Sequence, residues 1–250
     1  MDKSLKEKFM KLWSRYFGAA ELPLTFYYSD KPGAAEAVPS RRDHHCLICD
    51  LARARSGHPL AFARESFGCP GGCYYAGFEE HMRPGIEHFL STGIPGTMEG
   101  ERYKKTPELA LEAVSRIPEL QAEGKYIVFK RWDNLDTRDE PQVVIFFATP
   151  DVLSGLFTLA NFDETSESGV VTAFSSGCAA IIRLPLSERR SEHPRAFLGM
   201  FDVSARPCVA ANLLTFAVPM AKFVRMIDNM PESFLITHSW EKVRERIGKQ

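Results

Sequence analysis

A layered α/β or α+β fold, with a mixed β-sheet flanked by helices, is predicted by three observations. Short runs of β-branched and aromatic residues alternate along the chain with segments of helical periodicity, roughly seven of each. The composition, 44% hydrophobic and 25% charged over 250 residues, suits a globular chain long enough for one large core. No internal repeat or low-complexity stretch divides the sequence, so residues 1–250 read as a single domain.

Residues 3–17 place Leu5, Phe9, Leu12, Trp13 and Tyr16 on one stripe of an N-terminal amphipathic helix. Leu24 to Tyr28 is a β-rich run, and the prolines and alanines of residues 31–40 read as a loop. The cysteine-rich segment spans residues 44–78: a helix from His44 to Ser56 ended by Gly57, a strand within His58 to Phe67, and a turn, Cys69-Pro70-Gly71-Gly72-Cys73, feeding a helix through Tyr74 to Phe78. Residues 91–107, rich in glycine and poor in apolar groups, read as a mobile connection in which Gly100 has room for a side chain. Pro107 to Arg116 has helical spacing, and Tyr126 to Phe129 and Val143 to Phe147 read as buried strands. Pro150 opens a helix to about Asn161, Val170 to Phe174 is a strand, and Gly177 to Ile182 a short helix. Phe197 to Phe201 and Leu213 to Val218 complete the strands, before helices from Met220 to Met230 and from Trp240 to Ile247.

Charge narrows the function. With 31 basic and 32 acidic side chains, the chain has no basic excess, so no nucleic-acid partner is expected. The longest apolar run, Val143 to Ala148, falls far short of the roughly 20 residues of a membrane helix, so no membrane association is expected either. The opening MDKSLKEKFMKLW lacks an apolar secretory core, which points to a cytoplasmic protein.

Cys46, Cys49, Cys69 and Cys73 form the pattern C-x2-C-x19-C-x3-C. In a reducing compartment, two short pairs point to metal or redox chemistry rather than to a disulfide framework. Thiolates are soft ligands, so the four are the expected metal ligands for an iron-sulfur cluster, with zinc as the alternative. A cluster ranks ahead because the second pair departs from zinc-ribbon spacing, while Gly71 and Gly72 leave backbone amides open to bound sulfur. Gly72 is expected to need positive φ or a close approach, and therefore to tolerate substitution less well than Gly100. The competing reading is four packed core cysteines, with Cys46 and Cys49 sharing one helix face.

The run Cys46, Leu51-Ala52-Arg53, Gly57, Phe67-Gly68-Cys69-Pro70-Gly71-Gly72 and Gly77 resembles the signature of domain-of-unknown-function family 169, an uncharacterised prokaryotic family. Pro141-Gln142-Val143-Val144, Pro150, Ser176-Gly177-Cys178, Gly199, Asp202, Arg206 and Pro219 extend the resemblance over roughly residues 20 to 230. The family implies no reaction. Cys49 and Cys73 depart from its commoner pattern, which implies a metal centre particular to this chain.

Cys178 follows a small-residue turn and is a second pocket candidate, as a further ligand or a reactive thiol; it is expected to share a pocket with the Cys69 turn. Cys208 has no such context and reads as buried. Asp202, Ser204 and Arg206 alternate beside a strand; Asp202 and Arg206 either face a small anionic ligand or form a structural ion pair. His44 and His45 read as exposed rather than ligating, Asp43 as a helix cap, and Arg41-Arg42 and Arg189-Arg190 as solvated. Dinucleotide, P-loop, serine-hydrolase and zinc-protease motifs are absent from the sequence. The expected function is a redox, electron-transfer or sensing metalloprotein with an unidentified redox partner or small-molecule ligand. The alternatives are a thiol enzyme using Cys69 or Cys178, and a small-molecule binding module.

Overall fold

Val143–Ala148 carries no polar side chain and is buried along its whole length, so it demands apolar cover on both faces. The computed structural model describes residues 1–249 and meets that demand with a three-layered α/β domain. Gln250, the last residue of the expected domain, lies outside the described residues. The chain runs α1 (Lys3–Phe17), β1 (Leu24–Ser29), β2 (Glu36–Ala37), α2 (Leu47–Arg55), β3 (Leu60–Phe62), α3 (Pro70–Tyr75), α4 (Ile86–Phe89), α5 (Pro107–Ser115), β4 (Tyr126–Arg131), β5 (Val143–Ala148) and α6 (Pro150–Ala160). It continues through β6 (Val170–Val171), α7 (Leu184–Glu188), β7 (Ala196–Gly199), β8 (Leu214–Pro219), α8 (Met220–Asn229) and α9 (His238–Arg244).

The eight strands form one sheet in the order β2-β3-β4-β1-β5-β8-β7-β6. Its centre is antiparallel, and the outermost pairs, β2 with β3 and β6 with β7, are parallel. The two-residue period of β5 sends Val143, Ile145 and Phe147 to one face, with α2, α3 and Ile181, Ile182 and Leu186. Val144, Phe146 and Ala148 go to the other, under α1, α6, α8 and α9. Each large side chain so buried contributes about 1.5–3 kcal/mol. No helix is long and apolar enough to cross a membrane among the described residues.

The sequence-derived elements recur with shifted ends, and four differences have physical causes. The helix expected from His44 begins at Leu47, because the His45 amide instead donates to the Gly68 carbonyl at 3.3 Å. The strand expected through Phe67 stops at Phe62, and Ser66 is buried with its hydroxyl donating to the Val38 carbonyl at 2.6 Å. Residues 31–40 hold β2, whose Glu36 amide donates to the Pro59 carbonyl at 2.9 Å. The 91–107 connection is a tight structure: Ile94 pairs with Met98, and the backbones of Gly93 and Gly100 are in close contact.

One polar group is sealed beside the sheet. The Lys130 ammonium, 2% exposed, donates to both Asp139 carboxylate oxygens at 2.9 and 2.7 Å. The Tyr27 hydroxyl and the Asp136 amide also donate to Asp139. Removing the cation leaves a buried carboxylate without its counter-charge. Lys130→Met is expected to lower unfolding free energy by about 3–5 kcal/mol in urea titrations; a loss under about 1 kcal/mol would show that solvent reaches Asp139.

Candidate functional site

The cysteines gather on the α2–α3 face of the sheet, where three helices begin. Cys46 has extended backbone (φ −78°, ψ 129°) and is the residue from which α2 starts. Burial pushes its thiol up, the amides of Ile48 and Cys49 pull the other way, and negative charge on Cys69 or Asp202 would push it further up. Just upstream, His45 Nε2 lies 3.0 Å from Asp50 and Arg41 lies 2.9 Å from the same carboxylate, so His45 braces the loop while His44 is exposed. Asp43 is not the cap of α2.

Cys69 is the corresponding residue of α3, again extended (φ −120°, ψ 121°), with Pro70 at the first helical position where its missing N–H costs nothing. Gly71 lies against the Cys69 sulfur: a Cβ there would stand 3.6 Å from Sγ. Gly72 does not have positive φ, and a Cβ would meet Phe67 at 3.4 Å and Leu47 at 3.6 Å, ordinary contacts. Gly100 is the tighter position, since a Cβ there overlaps Gly93 N and the Ser91 carbonyl. The expected order of tolerance is therefore reversed.

The third start is Gly177-Cys178. The Ser176 hydroxyl accepts from the Ala179 amide at 3.1 Å, and Asp202 Oδ2 accepts from the Gly177 amide at 3.1 Å. The anion at this helix start is thus the chain's own carboxylate. The helix passes through a π-helical stretch, Ala179–Arg183, before α7; such stretches recur at functional sites. Cys178 is buried, which pushes its thiol well above the usual value; charge on Cys46, Cys69 or Asp202 would add to that.

Cys46, Cys69, Cys178 and Asp202 therefore lie within mutual electrostatic reach, drawn from four separate segments. Two expected ligands stand apart. Cys49 is disulfide-bonded to Cys208, 159 residues away in sequence. The buried Cys73 thiol faces the Arg64 carbonyl at 3.8 Å and Glu79 at 4.0 Å, and burial pushes it up to about 12. Among the described residues no group of three or more His, Cys, Asp or Glu stands ready to hold a metal ion. Of the four-cysteine set Cys46, Cys49, Cys69 and Cys73, Cys49 is thus held in a disulfide, while charge on Cys69 would raise the Cys73 thiol as it does those of Cys46 and Cys178.

Arg206 does not pair with Asp202. Its guanidinium donates to the carbonyls of Leu213 at 2.6 Å and Ala211 at 2.8 Å, clamping its own loop, while Asp202 Oδ1 accepts from the Ser204 amide and hydroxyl. Sequence reasoning missed Cys208 as the partner of Cys49, since nothing local marks a contact made across 159 residues. It also missed Ser176, for which a serine three residues before Ala179 was the available signal.

A family model described as Uncharacterised ArCR, domain-of-unknown-function family 169, matches residues 16–229, and the chain belongs to that family. No curated protein and no solved structure matches it.

Two outcomes are expected from this geometry. Gly100→Val should destabilise the fold by more than about 2 kcal/mol, whereas Gly72→Ala should shift it by under about 1 kcal/mol, as read by thermal and urea unfolding; equal effects would contradict the steric account. Cys208→Ser should cost about 2–5 kcal/mol in oxidised protein and nothing against wild type in dithiothreitol. A difference that persisted under reduction would assign the loss to packing instead.

Proposed function

We propose that this member of the Uncharacterised ArCR family is a redox, electron-transfer or sensing protein. Its working group would be a soft metal centre, an iron-sulfur cluster ahead of zinc. The ligands would be Cys46, Cys69 and Cys178, with Cys49 completing the set once its bond to Cys208 is reduced. The observation that supports this most is that the free thiols of Cys46, Cys69 and Cys178, each at a helix start, are close enough for charge on one to raise another. Thiolate donors select zinc and iron-sulfur centres, and clusters accept irregular ligand spacing. Cys178 replaces Cys73 of the sequence-derived set, because the Cys73 thiol is engaged with Arg64 and Glu79. A reducing cytoplasm suits the reading: the Cys49–Cys208 bond is then of the transient kind that redox sensors use. The partner is a redox protein or a small molecule.

Thiol chemistry at Cys69 is the second reading. Cys69 is half-buried at the start of α3, whereas Cys178 is buried and its thiol raised.

Anaerobic purification in dithiothreitol, followed by iron, acid-labile sulfide and zinc analysis, separates the two. Metal in stoichiometric amount, lost in Cys69→Ala and Cys178→Ala but kept in Cys73→Ala, is the expected result. Metal-free protein in which Cys69 alone alkylates rapidly would overturn the metal centre in favour of the thiol enzyme.

A further inference from the structure

We infer that residues 200–209 are a redox latch: the Cys49–Cys208 bond fastens this segment over Cys46 and Cys178, and reduction by a dithiol releases it to open them. The latch rests on reading that cluster as the working site.

The segment lies directly on the Cys178 turn. A Cβ on Gly177 would meet Ala205 and the Met200 sulfur at 3.4 Å, with Ile48 of α2 at 3.5 Å, so latch, turn and α2 share one contact point. Asp202 holds the Gly177 amide, the residue just before Cys178. Few other attachments exist for the segment to lose. The Arg206 guanidinium bonds to carbonyls of residues 211–213 and its amide to the Asp202 carbonyl, the Ser204 amide donates to the Tyr103 hydroxyl at 3.2 Å, and Phe201 and Val203 are 53% and 69% exposed. Met200 and Ala205 supply its buried apolar contacts, and Cys208 and Val209 pack partly buried beside them. A segment with so little buried surface opens at low cost once its covalent tie is cut. The tie reaches the site itself, because Cys49 lies in the turn of α2 that Cys46 begins.

The chemistry balances with an external dithiol as reductant. One thiolate of the reductant attacks Cys208 Sγ, forming a mixed disulfide as Cys49 leaves as a thiolate. The second thiol closes on the reductant's own sulfur and expels Cys208. Two electrons and two protons pass to the protein, and the reductant departs as a cyclic disulfide.

Pulse alkylation of the metal-free full chain with iodoacetamide, read per cysteine by peptide mass spectrometry, tests this. The comparison is oxidised wild type, wild type after dithiothreitol treatment and removal, and Cys208→Ser without reductant. The expected result is labelling of Cys46 and Cys178 at least about tenfold faster in the second and third samples, with a much smaller rise at Cys73. Unchanged rates at Cys46 and Cys178 overturn the latch. So does a parallel rise at Cys73, which would make the bond a support of the whole fold rather than of one segment. The samples carry no metal, so the absence of iron in the anaerobic protein would sink the metal centre while leaving this result to stand or fall alone.

Discussion

The two-sided burial of β5 is the constraint from which the rest follows. A strand reading Val-Val-Ile-Phe-Phe-Ala cannot leave either face to water, so helices must pack on both. On one face, α1, α6, α8 and α9 seal an aromatic layer in which Trp13, Phe146 and Phe223 meet at centroid distances of 5.1 and 5.8 Å. On the other, α2, α3 and the helix after Gly177 are short and their starts converge, bringing three cysteines together. The site is thus a product of layering: the helices that complete the core also deliver the thiols.

Charge around Cys178 does not favour nucleophilic chemistry at that thiol. Reactive thiols sit beside cations that stabilise the thiolate, yet the ionisable groups acting on Cys178 are Cys46, Cys69 and Asp202, all acidic. The nearest buried cation along the chain, Arg183, is committed elsewhere. It stacks 3.9 Å from the Tyr74 ring centre and donates to the Tyr74 and Pro118 carbonyls, closing the end of α3. Burial first, and those acidic neighbours second, hold the Cys178 thiol in its protonated form.

Most of the fold was legible because it is written in local periodicity: α1, β5, α6 and α8 emerge from stripes and runs with prolines at their starts. What stayed hidden depends on partners distant in sequence. Glu36–Ala37 is a strand only because β3 lies beside it, and glycine-rich 91–102 is tight only because Gly93 meets Gly100. The same division runs through the site. The sequence marked Cys69 and Cys178 as cysteines at helix starts, but placed Cys46 inside a helix from His44 rather than at the start of α2. The Cys49–Cys208 bond and the separation of Asp202 from Arg206 were not legible, since backbone groups rather than opposite charges claim both of those side chains.

Why Cys178 rather than Cys73 joins Cys69 can be argued from backbone geometry. Residues four apart share a face only when both are helical. Cys73 is helical, but Cys69 is the extended residue before the helix, so its side chain leaves along a different direction and the i, i+4 relation does not hold. Cys73 turns toward Arg64 and Glu79. The Cys69 turn packs against the α2 start, where a Cβ on Gly72 would stand 3.6 Å from Leu47, an ordinary contact. The helix start divides the second pair, although charge on Cys69 would still raise the Cys73 thiol. Charge on Cys69 would likewise raise the thiols of Cys46 and Cys178, so the residue before α3 acts on thiols at two other helix starts, from segments far apart in the chain.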